Sequence, residues 1–299
     1  MIEPIWVLTG GVLPALCAAA MMAAICGPQR PASARRVGIG WSIAIAAGAT
    51  IGEFASHGRP PLPPVTSQQW LTSVVVPAAV VATIAGLFLT RRSPAATFIC
   101  RAAVSFGAPL LLLIAHLKYH WDTAEALIWL AVLSFAILLQ WVNMNRLATR
   151  RPGRHTAVIL FAIVTGTGVV IMLSDSAHIA QKAFTLAAAT GGALAASFLL
   201  PRGASSQGCV GVIVTAWSGL MIIFWFYVQT DPGPAEATMV ILLLAAVPAA
   251  WVGEVAAVQR LKPVIRGLTR IAAVLLPIVA AVIVAAIQFA REWNQTGPW

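Results

Sequence analysis

Two pairs of side chains in this sequence are spaced to work together: Glu53 with His57, and His116 with His120. A separation of four residues sets both members on one face of a helix, one above the other. Two neutral imidazoles one turn apart can share a divalent metal, and an imidazole beside a carboxylate can hold and pass a proton near neutral pH. Asp122 and Glu125 follow the second pair, where nearby carboxylates would raise the proton affinity of the histidines. His178 and Asp175 are chemically similar and fall on the same side in the topology below. The plainer account is that all of these are polar residues ending helices at a membrane surface. Whether a metal binds, and which one, is not specified by the spacing.

Glu254 is the other candidate. It lies about one turn inside a predicted helix, six residues before Arg260. An acid at the centre of a bilayer costs roughly 2.5–3.5 kcal/mol, so it either serves a buried polar site or reaches the interface. The candidate ligand-binding residues are therefore Glu53, His57, His116, His120 and Glu254. Thr165-Gly166-Thr167-Gly168 adds exposed backbone that suits either a solute or close helix packing. No Walker loop, Cys-x-x-Cys, His-Glu-x-x-His or Gly-x-Ser-x-Gly occurs, and no histidine sits at the depth a transmembrane haem needs. No cofactor is expected, and the residues argue against an enzyme more than for one.

The elements that must carry these residues are long apolar runs. Of 299 residues, 60% are hydrophobic and only 9% charged, where soluble domains carry about a quarter charged. Runs long enough to cross roughly 30 Å of hydrocarbon recur along the chain, and in lipid such runs must be helices to satisfy their own backbone. They do not alternate as barrel strands do. The fold class is an all-α, polytopic transmembrane bundle. It is read as one integral-membrane domain of about ten helices with short loops: 5–25, 37–55, 70–90, 97–117, 124–142, 156–173, 183–200, 209–228, 237–258 and 271–290. The stretch from His116 to Glu125 is a tight turn between two of them. Small residues a turn apart, such as Gly48 with Gly52 and Ala188 with Gly192, predict close helix crossings.

Alternating the loops divides the 19 Lys+Arg residues into fifteen on one side and four on the other. The positive-inside rule assigns the richer side to the cytoplasm, so both termini face outward from the cell membrane. The net charge of +10 lies in short interhelical loops and does not read as a nucleic-acid footprint. The expected partners are the lipid bilayer and other membrane subunits, with no nucleic acid. Cys26, Cys100 and Cys209 map to the reducing side and Cys17 lies inside a helix, so no external disulfide is expected.

Ten spans in about 300 residues outline a small carrier, so a permease for a small or amphiphilic solute is the first functional reading. A non-catalytic membrane subunit that scaffolds a larger complex is the alternative. A membrane enzyme with an outer-face metal site ranks third.

Overall fold

The structure is a computed structural model that describes residues 4–27, 33–90, 92–151, 153–174, 176–199, 206–228 and 233–296. Arg30, Arg91, Asp175, Arg202 and Asp231, all used in reading the loops, lie outside the described residues. Among those residues there is no strand. Ten long helices carry the fold: α1 (Leu8–Cys26), α2 (Ala34–His57), α3 (Ser67–Leu89), α4 (Pro94–Leu112), α5 (Thr123–Arg150), α6 (His155–Leu173), α7 (Ala177–Ser197), α8 (Gln207–Tyr227), α9 (Pro234–Glu254) and α10 (Pro263–Thr296). Nine of the described helices are long and apolar enough to cross a membrane; α7, with Gln181 and Lys182 in its second turn, is not among them.

Contacts between helix ends show that the chain runs up and down. At one end Ser56 Oγ meets Thr9 Oγ1 at 3.2 Å and Tyr227 donates to the Leu112 carbonyl at 2.8 Å. At the other, Arg36 donates to the Ile25 carbonyl at 2.6 Å and Arg154 to that of Ser197. The first end holds His57, His116, His120 and His178; the second holds most of the arginines.

α8 is the axis of the bundle. Every residue from Gly208 to Ile223 is buried, and helices α2 to α7 all pack around it. Glycine permits the tightest of these crossings, since a Cβ on Gly208 would lie 1.8 Å from the Gly38 carbonyl oxygen of α2. There Ser42 Oγ reaches across to the Gly208 carbonyl at 2.7 Å. A Cβ on Gly192 of α7 would likewise strike the Ala15 carbonyl of α1 at 2.0 Å. Small residues at crossings replace the hydrophobic drive that lipid does not supply. The Thr165–Gly168 segment serves the same purpose: Gly166 lies against Ile278, and Thr167 Oγ1 accepts from the Trp217 indole at 2.8 Å.

Helix ends depart from the sequence expectation in ways that move charges. α7 begins at Ala177 rather than 183, so Lys182 enters the bundle. α9 does not run to 258. Pro248 lies at its end, a 3-10 turn covers Ala250–Glu254, and the backbone turns extended at Val255. α10 begins at Pro263, with proline at the first helical position where its missing N–H costs nothing. Arg266 and Arg270 therefore belong to a helix rather than a loop.

Two further irregularities share a sequence pattern. Leu8-Thr9-Gly10-Gly11-Val12-Leu13-Pro14 and Leu71-Thr72-Ser73-Val74-Val75-Val76-Pro77 both open with a five-residue π turn. Proline cannot donate to the carbonyl four residues back and its ring crowds it, so the helix widens just before the ring. Both turns sit at the histidine-rich end, in helices that pack on α2.

Candidate functional site

Glu53 and His57 occupy the last turn of α2, which Gly58 ends at φ 77°, a left-handed conformation that favours glycine. The facing helix, α7, repeats their spacing with His178 and Lys182. The two pairs interlock. Lys182 Nζ donates to Glu53 Oε1, His57 Nδ1 lies 3.4 Å from Glu53 Oε2, and the rings of His57 and His178 meet edge-on at 4.3 Å. The Lys182 side chain is only 6% exposed and that of Glu53 14%, so the ion pair is largely desolvated. Neither charge would be tolerated there without the other.

A cleft of about 520 Å³ opens beside this pair, closed on its far side by the 58–61 loop and by Gln68, Gln69 and Thr72 of α3. Next to Lys182 in sequence, Gln181 is buried near Gly10 of α1, and both its amide atoms lack a hydrogen-bond partner. A carboxylate, an ammonium and two imidazoles thus line one polar, solvent-connected recess at the end of an apolar bundle. The set balances charge, can relay a proton, and presents donors and acceptors to a small polar solute.

His116 and His120 are elsewhere. The long helix that starts at Pro94 breaks at Leu113 (φ −102°, ψ 14°), and a short helix, Ile114–Tyr119, follows. The Leu112 carbonyl at the break accepts from Ser67 Oγ and Tyr227 Oη, both at 2.8 Å. His116 packs among Trp121, Phe226 and Tyr227, with its Nδ1 buried and unpartnered. Its ring centre lies 5.2 Å from that of His120. The carboxylates do not raise its proton affinity. Asp122 accepts from the Glu125 backbone N–H at 2.8 Å as the N-cap of α5. Burial, and secondarily the neighbouring His120, instead hold the His116 imidazole below its ordinary pKa. Among the described residues no three His, Cys, Asp or Glu side chains gather closely enough to hold a metal.

Glu254 is at the opposite end. Arg151 Nε, just past the end of α5, donates to its Oε1 at 3.0 Å, and Arg270 Nη2 of α10 donates to the same oxygen. Gln259 adds a bond to its backbone carbonyl at 3.1 Å. Gly253 makes room for this clamp, since a Cβ there would sit 2.3 Å from Arg270 Nε. Glu254 is held by two arginines at the arginine-rich end. It ties three helices together.

No protein-family model, curated protein or solved structure matches this chain. The functional reading therefore rests on the geometry. The structure splits the five predicted residues into three places, and Glu53 and His57 share the cleft described above. It adds His178 and Lys182, whose spacing of four was present in the sequence but fell in a stretch read as a loop.

Proposed function

We propose that this protein is a permease for a small polar solute, one integral-membrane unit whose binding recess is the Glu53–Lys182 cleft. The observation that carries the reading is the ion pair itself: two opposite charges, mostly out of water, in a chain with only 9% charged residues. Charges are expensive in a membrane bundle and usually mark a substrate or proton path. The cleft volume suits a solute of metabolite size. A bound zwitterion or hydrogen-bonding solute would exchange with one member of the pair, while His57 and His178 supply a proton acceptor and donor. Prolines with wide turns in α1 and α3 place deformable backbone beside the site, as broken helices do in carriers. The charge split supports a cell-membrane orientation with the histidine-rich end, and both termini, outside.

Solid-supported-membrane recordings on proteoliposomes test this. Perfusion with a panel of zwitterionic and uncharged polar solutes under a pH gradient is expected to give currents for some of them, lost in Glu53→Gln/Lys182→Gln. Silence across the panel, with full incorporation, would set the reading aside.

One observation favours the scaffold alternative. α10 runs 34 residues, about 50 Å at the helical rise, well beyond the hydrocarbon thickness. An overhanging helix offers a second membrane subunit a place to dock. Stoichiometric co-purification of another membrane protein, together with silent recordings, is the result that reading expects.

A further inference from the structure

The arginine-rich end holds a second cleft, unrelated to the histidine pair, of about 480 Å³. Arg101 lines it, seven residues into α4 and so roughly 10 Å along the helix from its start. The guanidinium reaches α3 at Gly86, where a Cβ would lie 3.9 Å from Nη2. Among the described residues Arg101 makes no ion pair and no hydrogen bond, and the cleft is lined by no carboxylate. Among the described residues, the arginines most deeply drawn into this end each meet an acceptor, although Arg270 Nε itself is unpartnered. Arg151 and Arg270 share Glu254, and Arg154 grips the Ser197 carbonyl.

A half-buried guanidinium with idle donors is costly unless something supplies the missing acceptor. The rest of the cleft indicates which acceptor. Arg35, from the first turn of α2, also lines it, and its guanidinium is held over the Phe88 ring at 4.6 Å. Asn145 and Thr149, one turn apart on α5, face them. Thr90 and Thr149 donate their hydroxyl protons to the carbonyls of Gly86 and Arg146, which leaves oxygen lone pairs toward the cleft. Two cations and an amide suit a charged oxyanion, and the two acceptor oxygens suit a hydroxyl on or beside it, as on a hydrogen phosphate or a glycerol headgroup. The planar guanidinium fork matches phosphate geometry in a bidentate way.

We propose that this cleft binds a phosphate group, as a free phosphate or as the headgroup of an anionic phospholipid, with Arg101 as its principal anchor and Arg35 as the second. The depth suits both sources, since roughly 10 Å from the helix start is within reach of lipid headgroups and of water.

The purified full-length protein tests this in two arms. In zwitterionic detergent, thermal unfolding is followed with inorganic phosphate against sodium chloride at matched ionic strength. In the second arm the protein is exchanged into nanodiscs of phosphatidylcholine with or without phosphatidylglycerol, and native mass spectrometry counts the lipids retained on release. Phosphate stabilisation of the parent that Arg101→Gln abolishes assigns a free anion. One phosphatidylglycerol retained by the parent and lost in Arg101→Gln, but kept in the exposed-site variant Arg260→Gln, assigns a headgroup. Should Arg101→Gln fail to fold, Arg101→Lys keeps the charge but not the fork, and retention is expected to weaken about tenfold for a lost charge-assisted bond. If neither phosphate nor phosphatidylglycerol binds the parent, or if every variant binds as the parent does, the proposal is wrong.

Discussion

At the residue scale the chain concentrates its cost in one ion pair. Removing Lys182 leaves Glu53 charged, mostly buried and answered only by His57 at 3.4 Å. Lys182→Met is expected to cost about 3–5 kcal/mol, and Glu53→Gln in the same chain should recover much of it. Thermal unfolding of the single and double variants measures that rescue; equal losses in both would mean the pair is not coupled. Half of this constellation was legible in the sequence, because Glu53 and His57 announce themselves by spacing. His178 and Lys182 have the same spacing but sit in a polar stretch whose Ser, Asp, His, Gln and Lys read as a turn. Only the partner across the bundle turns that stretch into a helix. His116 carries a separate expectation. Its pKa in the folded state lies below the unfolded value of about 6.5, so the unfolded chain binds more protons as the pH falls. The stability this neutral imidazole contributes is complete above about pH 6.5 and is lost as the pH drops below it. Melting curves at pH 7.5 and 5.5 should therefore fall less for His116→Phe than for the parent; equal falls would contradict the assignment.

At the element scale the helices were readable and their ends were not. Apolar length is a local property, so the long runs emerge from composition alone. Where a helix stops depends on prolines, caps and partners from distant segments. α9 stops at Val255, beyond Pro248 and a 3-10 turn, and α10 starts early enough to bring Arg270 against Glu254. This clamp across α5, α9 and α10 makes its own prediction. Glu254→Gln leaves Arg270, whose side chain is 7% exposed, buried beside a neutral amide. A loss of about 3 kcal/mol or more is expected, with solute-evoked currents per folded molecule unchanged. Unaltered melting would show that the clamp contributes nothing. Impaired currents in a stable protein would move Glu254 into the solute path.

At the scale of the whole molecule, α8 is an axis that periodicity alone did not single out, since an apolar run looks alike whether it faces protein or lipid. Its glycines at crossings distinguish it only once their neighbours are known. Around that axis the bundle separates two clefts, one with paired charges and histidines, one with Arg35 and the unpaired Arg101, at opposite ends of the same helices. Central to the proposed function is a Glu53–Lys182 recess that is wet and opens outward. Labelling by a membrane-impermeant thiol reagent tests it most directly, in intact cells carrying single-cysteine chains from which the four native cysteines have been removed. A cysteine at His57 should be labelled from outside without permeabilisation, and one at Thr149 only after it. Labelling of the Thr149 position from outside, with the His57 position silent until the membrane is opened, would contradict the account.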